Sequence, residues 1–162
     1  MDFFSKHGEY GYYWYIEYDV FFTGDWKIFL DFFKDVNKDF LSCDIRLYEN
    51  TSTWPWWQTL KHPEKKIALA NRLRSFNPIY RLSAAALFFI QQQLYNKWSG
   101  HHEVLLPTLL YHNNFSLSDF GGDGEFVDKG AENKFYSKET FRWRPAFNKA
   151  GGLKNKLYHP VK

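Results

Sequence analysis

A chain of 162 residues is long enough to bury a core of ordinary size without a metal or disulfide staple, and one domain is expected. Seventeen Phe, eleven Tyr and seven Trp against a single Met exclude a disordered segment and describe a core of rigid rings. The formal net charge of +3 is uneven: residues 129–162 carry nine Lys or Arg against Glu132 and Glu139, about +7, behind a body of about −4.

The first element is the run Tyr12-Tyr13-Trp14-Tyr15-Ile16-Glu17-Tyr18-Asp19, which reads as a strand that abruptly presents two carboxylates. A period of two places Glu17 and Asp19 on one face, roughly 7 Å apart, with Tyr18 on the other. Glu and Asp are poor strand formers, so their position after a β-favouring run is a local conflict of the kind functional sites carry. The alternative is the solvated face of an edge strand, against which Tyr13, Tyr15 and Phe21 on the flanking face count.

Thr23-Gly24-Asp25 is a turn with Asp25 as N-cap of an amphipathic helix carrying Trp26, Phe29, Leu30 and Phe33 and ending near Asn37. Asp39 to Tyr48 reads as a second strand, and strand, crossover helix and strand predict a parallel α/β sheet. Cys43 stands in this apolar stretch, where a packed thiol is expected. The loop Thr51-Ser52-Thr53-Trp54-Pro55-Trp56-Trp57-Gln58 either folds back as a satellite of the core or offers a flat aromatic platform to a ligand such as a sugar ring.

A polar helix is expected from Ala68 to Arg74, an extended segment with a bend at Asn77-Pro78 from Ser75 to Leu82, and a helix capped by Ser83 thereafter. A further helix begins at His101 or His102, with Leu105, Leu106, Leu109 and Leu110 as its stripe and Pro107 in its first turn. Phe115 to Phe120 reads as a short strand, and Gly121-Gly122-Asp123-Gly124 as a turn, too short for a phosphate-binding fingerprint. The remainder is irregular and basic.

Other chemistries lack their motifs. His101-His102-Glu103 has no second histidine at position 106 to make a zinc helix, and adjacent helical residues diverge; these histidines also suit capping, and Glu103 suits a helix start. Gly-x-Ser-x-Gly is absent, and dispersed Lys and Arg with no recognition motif argue against nucleic acid. Carboxylates two apart on one strand do not flank a glycosidic bond as a hydrolase requires. The longest apolar run, Ala84 to Ile90, is about a third of a membrane span. The amino terminus shows no signal peptide, so a cytoplasmic location is expected.

Three segments in this order carry a resemblance. They are Glu17-Tyr18-Asp19 ending a hydrophobic strand, then Trp98-Ser99-Gly100-His101-His102-Glu103, and finally Leu157-Tyr158-His159-Pro160-Val161-Lys162. Together they resemble the carboxy-terminal, metal- and acceptor-binding part of nucleotide-sugar glycosyltransferases of the GT-A type, with Glu17-x-Asp19 in place of the family's Asp-x-Asp. The resemblance implies an incomplete GT-A (Rossmann-like) mixed sheet flanked by helices, truncated at the N-terminal, nucleotide-binding side, with an irregular basic C-terminal segment.

It further implies metal-dependent transfer of a sugar from a nucleotide-diphosphate donor to a carbohydrate or other hydroxyl acceptor. Asp19, Glu17 and His159 would hold Mn²⁺ or Mg²⁺, and Glu103 would be the catalytic base. Lys162, Arg142 and Arg144 would meet the diphosphate, and Trp54, Trp56, Trp57, His101 and His102 the acceptor. The alternative is a carbohydrate-binding or interaction module of the same fold that has lost turnover.

Overall fold

The computed structural model describes residues 2–162. Its framework is a four-stranded mixed sheet flanked by helices. The elements are α1 (Asp2–Lys6), β1 (Tyr12–Ile16), β2 (Phe21–Phe22), α2 (Trp26–Phe33), β3 (Phe40–Leu47), β4 (Leu73–Ser83), α3 (Ala84–Tyr95), α4 (His102–Tyr111), β5 (Leu117–Asp119) and β6 (Leu157–Tyr158). The sheet order is β1-β4-β3-β5, and β2 pairs separately with β6.

The strand, helix, strand unit over β1, α2 and β3 is real, but β1 and β3 are not neighbours. The long β4 lies between them, antiparallel to both, and of the four sheet strands only β3 and β5 pair in parallel. A sequence pattern reports that two strands point the same way; it does not report that a third is inserted between them. β1 is therefore an edge, and Tyr15 and Phe21, expected to be buried, are about half exposed.

β3 is apolar on both sides because both faces of the sheet are covered. Phe40 and Ile45 pack with Leu73, Leu82, Trp57 and the buried stripe of α3 and α4, while Leu41 and Cys43 face Phe29 and Phe33 of α2 together with Ile79 and Phe120. Phe29 is fully buried, its ring touching those of Trp14, Phe22, Trp26, Phe33, Phe120 and Phe135. Burial raises the Cys43 thiol well above its ordinary pKa, as befits a packed cysteine.

The expected caps are present: Asp25 accepts the N–H of Lys27 at 2.8 Å, and Ser83 that of Ala86 at 3.1 Å. Three expectations are corrected. α2 stops at Phe33 rather than near Asn37, where the buried Arg81 guanidinium takes the carbonyls of Phe33, Val36 and Lys38. The polar helix over Ala68 to Arg74 is one 3-10 turn, Leu69–Asn71, because Arg72 turns inward onto the carbonyls of Ile67 and Trp57, and β4 starts at Leu73. Pro107 is the sixth residue of α4, in the buried interior of that helix, where surrounding apolar packing outweighs its missing N–H.

The basic carboxy-terminal segment has little regular structure, yet it is tied to the start of the chain. Thr23 donates to the carbonyl of Lys156 at 3.0 Å and Val161 to that of Asp19 at 2.9 Å, while within the segment His159 donates to the Thr140 carbonyl at 3.0 Å. These bonds bring residue 159 to the end of β1.

Candidate metal centre

β1 ends at Ile16, sooner than the aromatic run suggests. The Glu17 N–H still bonds the Pro78 carbonyl at 2.8 Å, and a turn then follows at Tyr18 and Asp19, closed by the Val20 N–H on the Glu17 carbonyl at 3.2 Å. The turn replaces the expected strand spacing: ligand atoms of Glu17, Asp19 and His159 all lie within 4.8 Å of one another. Tyr18, between the two acids, is 99% exposed.

His159 completes the group. Its Nε2 is 3.5 Å from Glu17 Oε2 and 3.5 Å from Asp19 Oδ1, while Nδ1 is 2.8 Å from the Arg142 carbonyl. A carbonyl oxygen only accepts, so Nδ1 carries a proton and donates it, which leaves Nε2 as the ring atom turned toward the two carboxylates. The ring is 4% exposed and wedged against Phe76 and Phe141. Asp19 Oδ1 is buried with no hydrogen-bond partner. Burial pushes the Glu17 carboxyl up, opposed by His159 and reinforced by the Asp19 charge.

Two carboxylates and an imidazole oriented by a backbone carbonyl are a donor set that fits a divalent cation such as Mn²⁺ or Mg²⁺. The Asp19 oxygen, buried with no hydrogen bond, is the observation in its favour, since a buried acceptor without a hydrogen-bond donor carries a desolvation cost that a cation would offset.

Glu103 stands in the first turn of α4, where its Oε1 accepts the Asn77 N–H at 3.4 Å. Burial raises its carboxyl to a pKa of about 7; the Asn77 bond and Arg74 pull it down, and the Glu17 and Asp44 charges push it up. His101 caps the helix by accepting the Glu103 N–H at 3.4 Å, and its Nδ1 is 3.7 Å from Glu103 Oε2. His102 is exposed, its Nδ1 3.4 Å from Asn77 Nδ2.

No protein-family model, no curated protein and no solved structure matches the chain.

The remaining expected site residues divide. Trp57 is 1% exposed and its indole N–H donates to the Thr51 carbonyl at 2.8 Å, which removes it from any ligand surface. Trp54 is half-buried, and Trp56 is exposed. Arg142 donates from Nε to the Pro145 carbonyl at 3.0 Å and covers the Phe147 ring, and its carbonyl meets His159 Nδ1. Arg144 lies over Trp143, and neither arginine forms an ion pair with the acidic group among the described residues. Lys162 is exposed one residue beyond the Asp19–Val161 bond.

Sequence reasoning missed Asn77 as a participant. It is fully buried, its side-chain oxygen accepts from Ser42 at 2.7 Å and Ser75 at 2.6 Å, and its backbone meets Glu103. A polar residue inside a predicted strand beside Pro78 was the available signal.

Proposed function

We propose that the chain is a glycosyltransferase-like domain that moves a sugar from a nucleotide-diphosphate donor to a hydroxyl acceptor with the help of Mn²⁺ or Mg²⁺. The observation that carries this reading is the buried Asp19 Oδ1, without a hydrogen bond and 3.5 Å from His159 Nε2 beside Glu17. It is supported also by the order of the resembling segments, whose acids and histidine come together although they lie at opposite ends of the sequence.

Asp19, Glu17 and His159 would hold the cation, which supplies Lewis-acid relief of the charge that builds on the departing diphosphate. Glu103, with a pKa near neutrality, takes the proton from the acceptor hydroxyl as its oxygen bonds the sugar carbon and the bond to the diphosphate oxygen breaks. Lys162 adds positive charge on the phosphate side.

The test is release of nucleoside diphosphate from a panel of UDP-, GDP-, ADP- and dTDP-sugars, with and without Mn²⁺. The reading expects turnover of at least one donor with metal, abolished by Asp19→Ala and by chelator. Absence of release across the panel, or release indifferent to both, contradicts it. The half-exposed Trp56 favours one alternative, a carbohydrate-binding module without turnover, whose sugar binding would persist in chelator.

A further inference from the structure

Strand β1 has β4 on one side and, among the described residues, no strand on the other. Two bonds fix which of its backbone groups look outward. Glu17 donates to the Pro78 carbonyl at 2.8 Å and Ala84 to the Gly11 carbonyl at 2.9 Å, so in the unbroken register from Tyr12↔Ser83 to Ile16↔Ile79 the odd-numbered residues face β4. The N–H and C=O groups of Tyr12, Trp14 and Ile16 therefore point away from the sheet.

The two edges of the sheet are treated differently. At the far edge, β5 is only Leu117–Asp119, and the chain folds back over it, with Asp119 donating to the Phe126 carbonyl at 2.8 Å. An open edge is ordinarily guarded by a charge, a proline or a bulge. β1, reading Tyr-Tyr-Trp-Tyr-Ile, has no charge and no proline, and its register has no shift.

What pairs with such an edge is a strand, and apolar exposure at both ends of β1 indicates which one. At its start Phe3 is 61% and Tyr10 52% exposed, their rings 6.4 and 6.2 Å from that of Tyr13; at its end Tyr15 is 47% and Ile16 41% exposed. Tyr13 and Tyr15 lie on one face of the strand. Antiparallel pairing of β1 with β1 of a second copy, centred on Trp14, sets Tyr12 opposite Ile16 and bonds all the outward N–H and C=O groups of both strands. It also lays Tyr15 of each copy beside Tyr13 of the other, against the Phe3 and Tyr10 rings, so the exposed ends cover each other. No like charges meet within the paired segment, because Tyr12–Ile16 carries none.

We infer that the chain associates through β1 into a two-fold dimer in which two four-stranded sheets become one. This does not rest on the glycosyl-transfer reading. β1 runs directly into Glu17, so the interface ends beside the candidate metal centre.

Sedimentation velocity of the intact chain, from low micromolar to several hundred micromolar, should show a concentration-dependent species of twice the 19.5 kDa chain mass. Ile16→Lys sets an ammonium beside Tyr12 of the second copy, over which Arg81 lies at 4.0 Å, and should weaken dimerisation about tenfold or more. Ile16→Pro removes an outward N–H at a position where an edge strand tolerates proline, and should act in the same direction. Leu153→Lys, at a 53% exposed apolar residue of the carboxy-terminal segment, should leave the dimer unchanged. Melting of each variant at concentrations where the parent is monomeric separates a lost interface from a lost fold. Hydrogen exchange of the parent needs no variant: the amides of Tyr12, Trp14 and Ile16 should slow as concentration rises, while those of Tyr13 and Tyr15 are protected throughout. The inference is overturned if the parent stays monomeric, if exchange at those three amides ignores concentration, if association survives both Ile16 substitutions, or if Leu153→Lys abolishes it.

Discussion

The backbone carbonyl of Asp19 accepts the N–H of Val161 at 2.9 Å, so the turn beside the two acidic side chains grips the segment that carries the histidine. The same residue thus offers a carboxylate to the candidate metal and fixes the strand of chain that brings its partner. Val161→Pro removes the N–H while keeping an apolar residue. Its Mn²⁺ affinity is expected to fall roughly tenfold or more, the scale on which loss of an orienting partner weakens metal sites. Titration monitored by Mn²⁺ electron paramagnetic resonance reads this, and an affinity equal to the parent's would show that the Asp19–Val161 bond does not support the site.

Metal binding should register as stability. A cation that binds only the folded state adds about 2.7 kcal/mol at a hundred times its Kd, which raises Tm by roughly 5–10 °C in a chain of this size. Mn²⁺ should therefore raise the melting temperature and chelator restore it. In Asp19→Ala, where the buried carboxylate is gone, added Mn²⁺ should leave the melting temperature where it was.

The pH behaviour of Glu103 follows from its environment. Burial raises the folded pKa from 4.5 to about 7, so between these values the folded state holds a proton that the unfolded state has released. Stability referable to this group is present below the unfolded value and is lost as pH rises toward 7, by roughly 3 kcal/mol in all. Glu103→Gln should melt more like the parent at pH 5 and gain on it by pH 8. As a base, Glu103 should also give donor-to-acceptor transfer an ascending limb near pH 7, absent in Glu103→Gln.

Gly100→Ala should cost about 1–3 kcal/mol, because a Cβ would meet the backbone of Thr59 and Leu60 in a conformation unfavourable to alanine. Thermal unfolding measures the loss. Widening this junction should also separate His101 from Trp56, read as a change in tryptophan fluorescence.

Most local choices were legible because they are local. Asp25 and Ser83 cap the helices their sequence neighbourhood predicts, and the double-sided burial of β3 is visible as an apolar run from Phe40. What failed were quantities set by distant chain. That β4 separates β1 from β3 depends on pairing across the whole fold, and the short turn at Tyr18 and Asp19 depends on Val161. The Trp loop divided between the two readings open to it, with Trp57 entering the core and Trp56 remaining outside. At Arg142, a candidate for the diphosphate by its charge, the carbonyl orients His159 and the guanidinium covers Phe147. No residue type announces what its carbonyl does.

The measurement closest to the central claim is anomalous diffraction at the manganese edge from crystals of the chain grown with Mn²⁺. A single peak about 2.0–2.6 Å from Glu17, Asp19 and His159 Nε2 is the predicted result. A manganese ion bound elsewhere, or these three side chains unoccupied at saturating Mn²⁺, would contradict it.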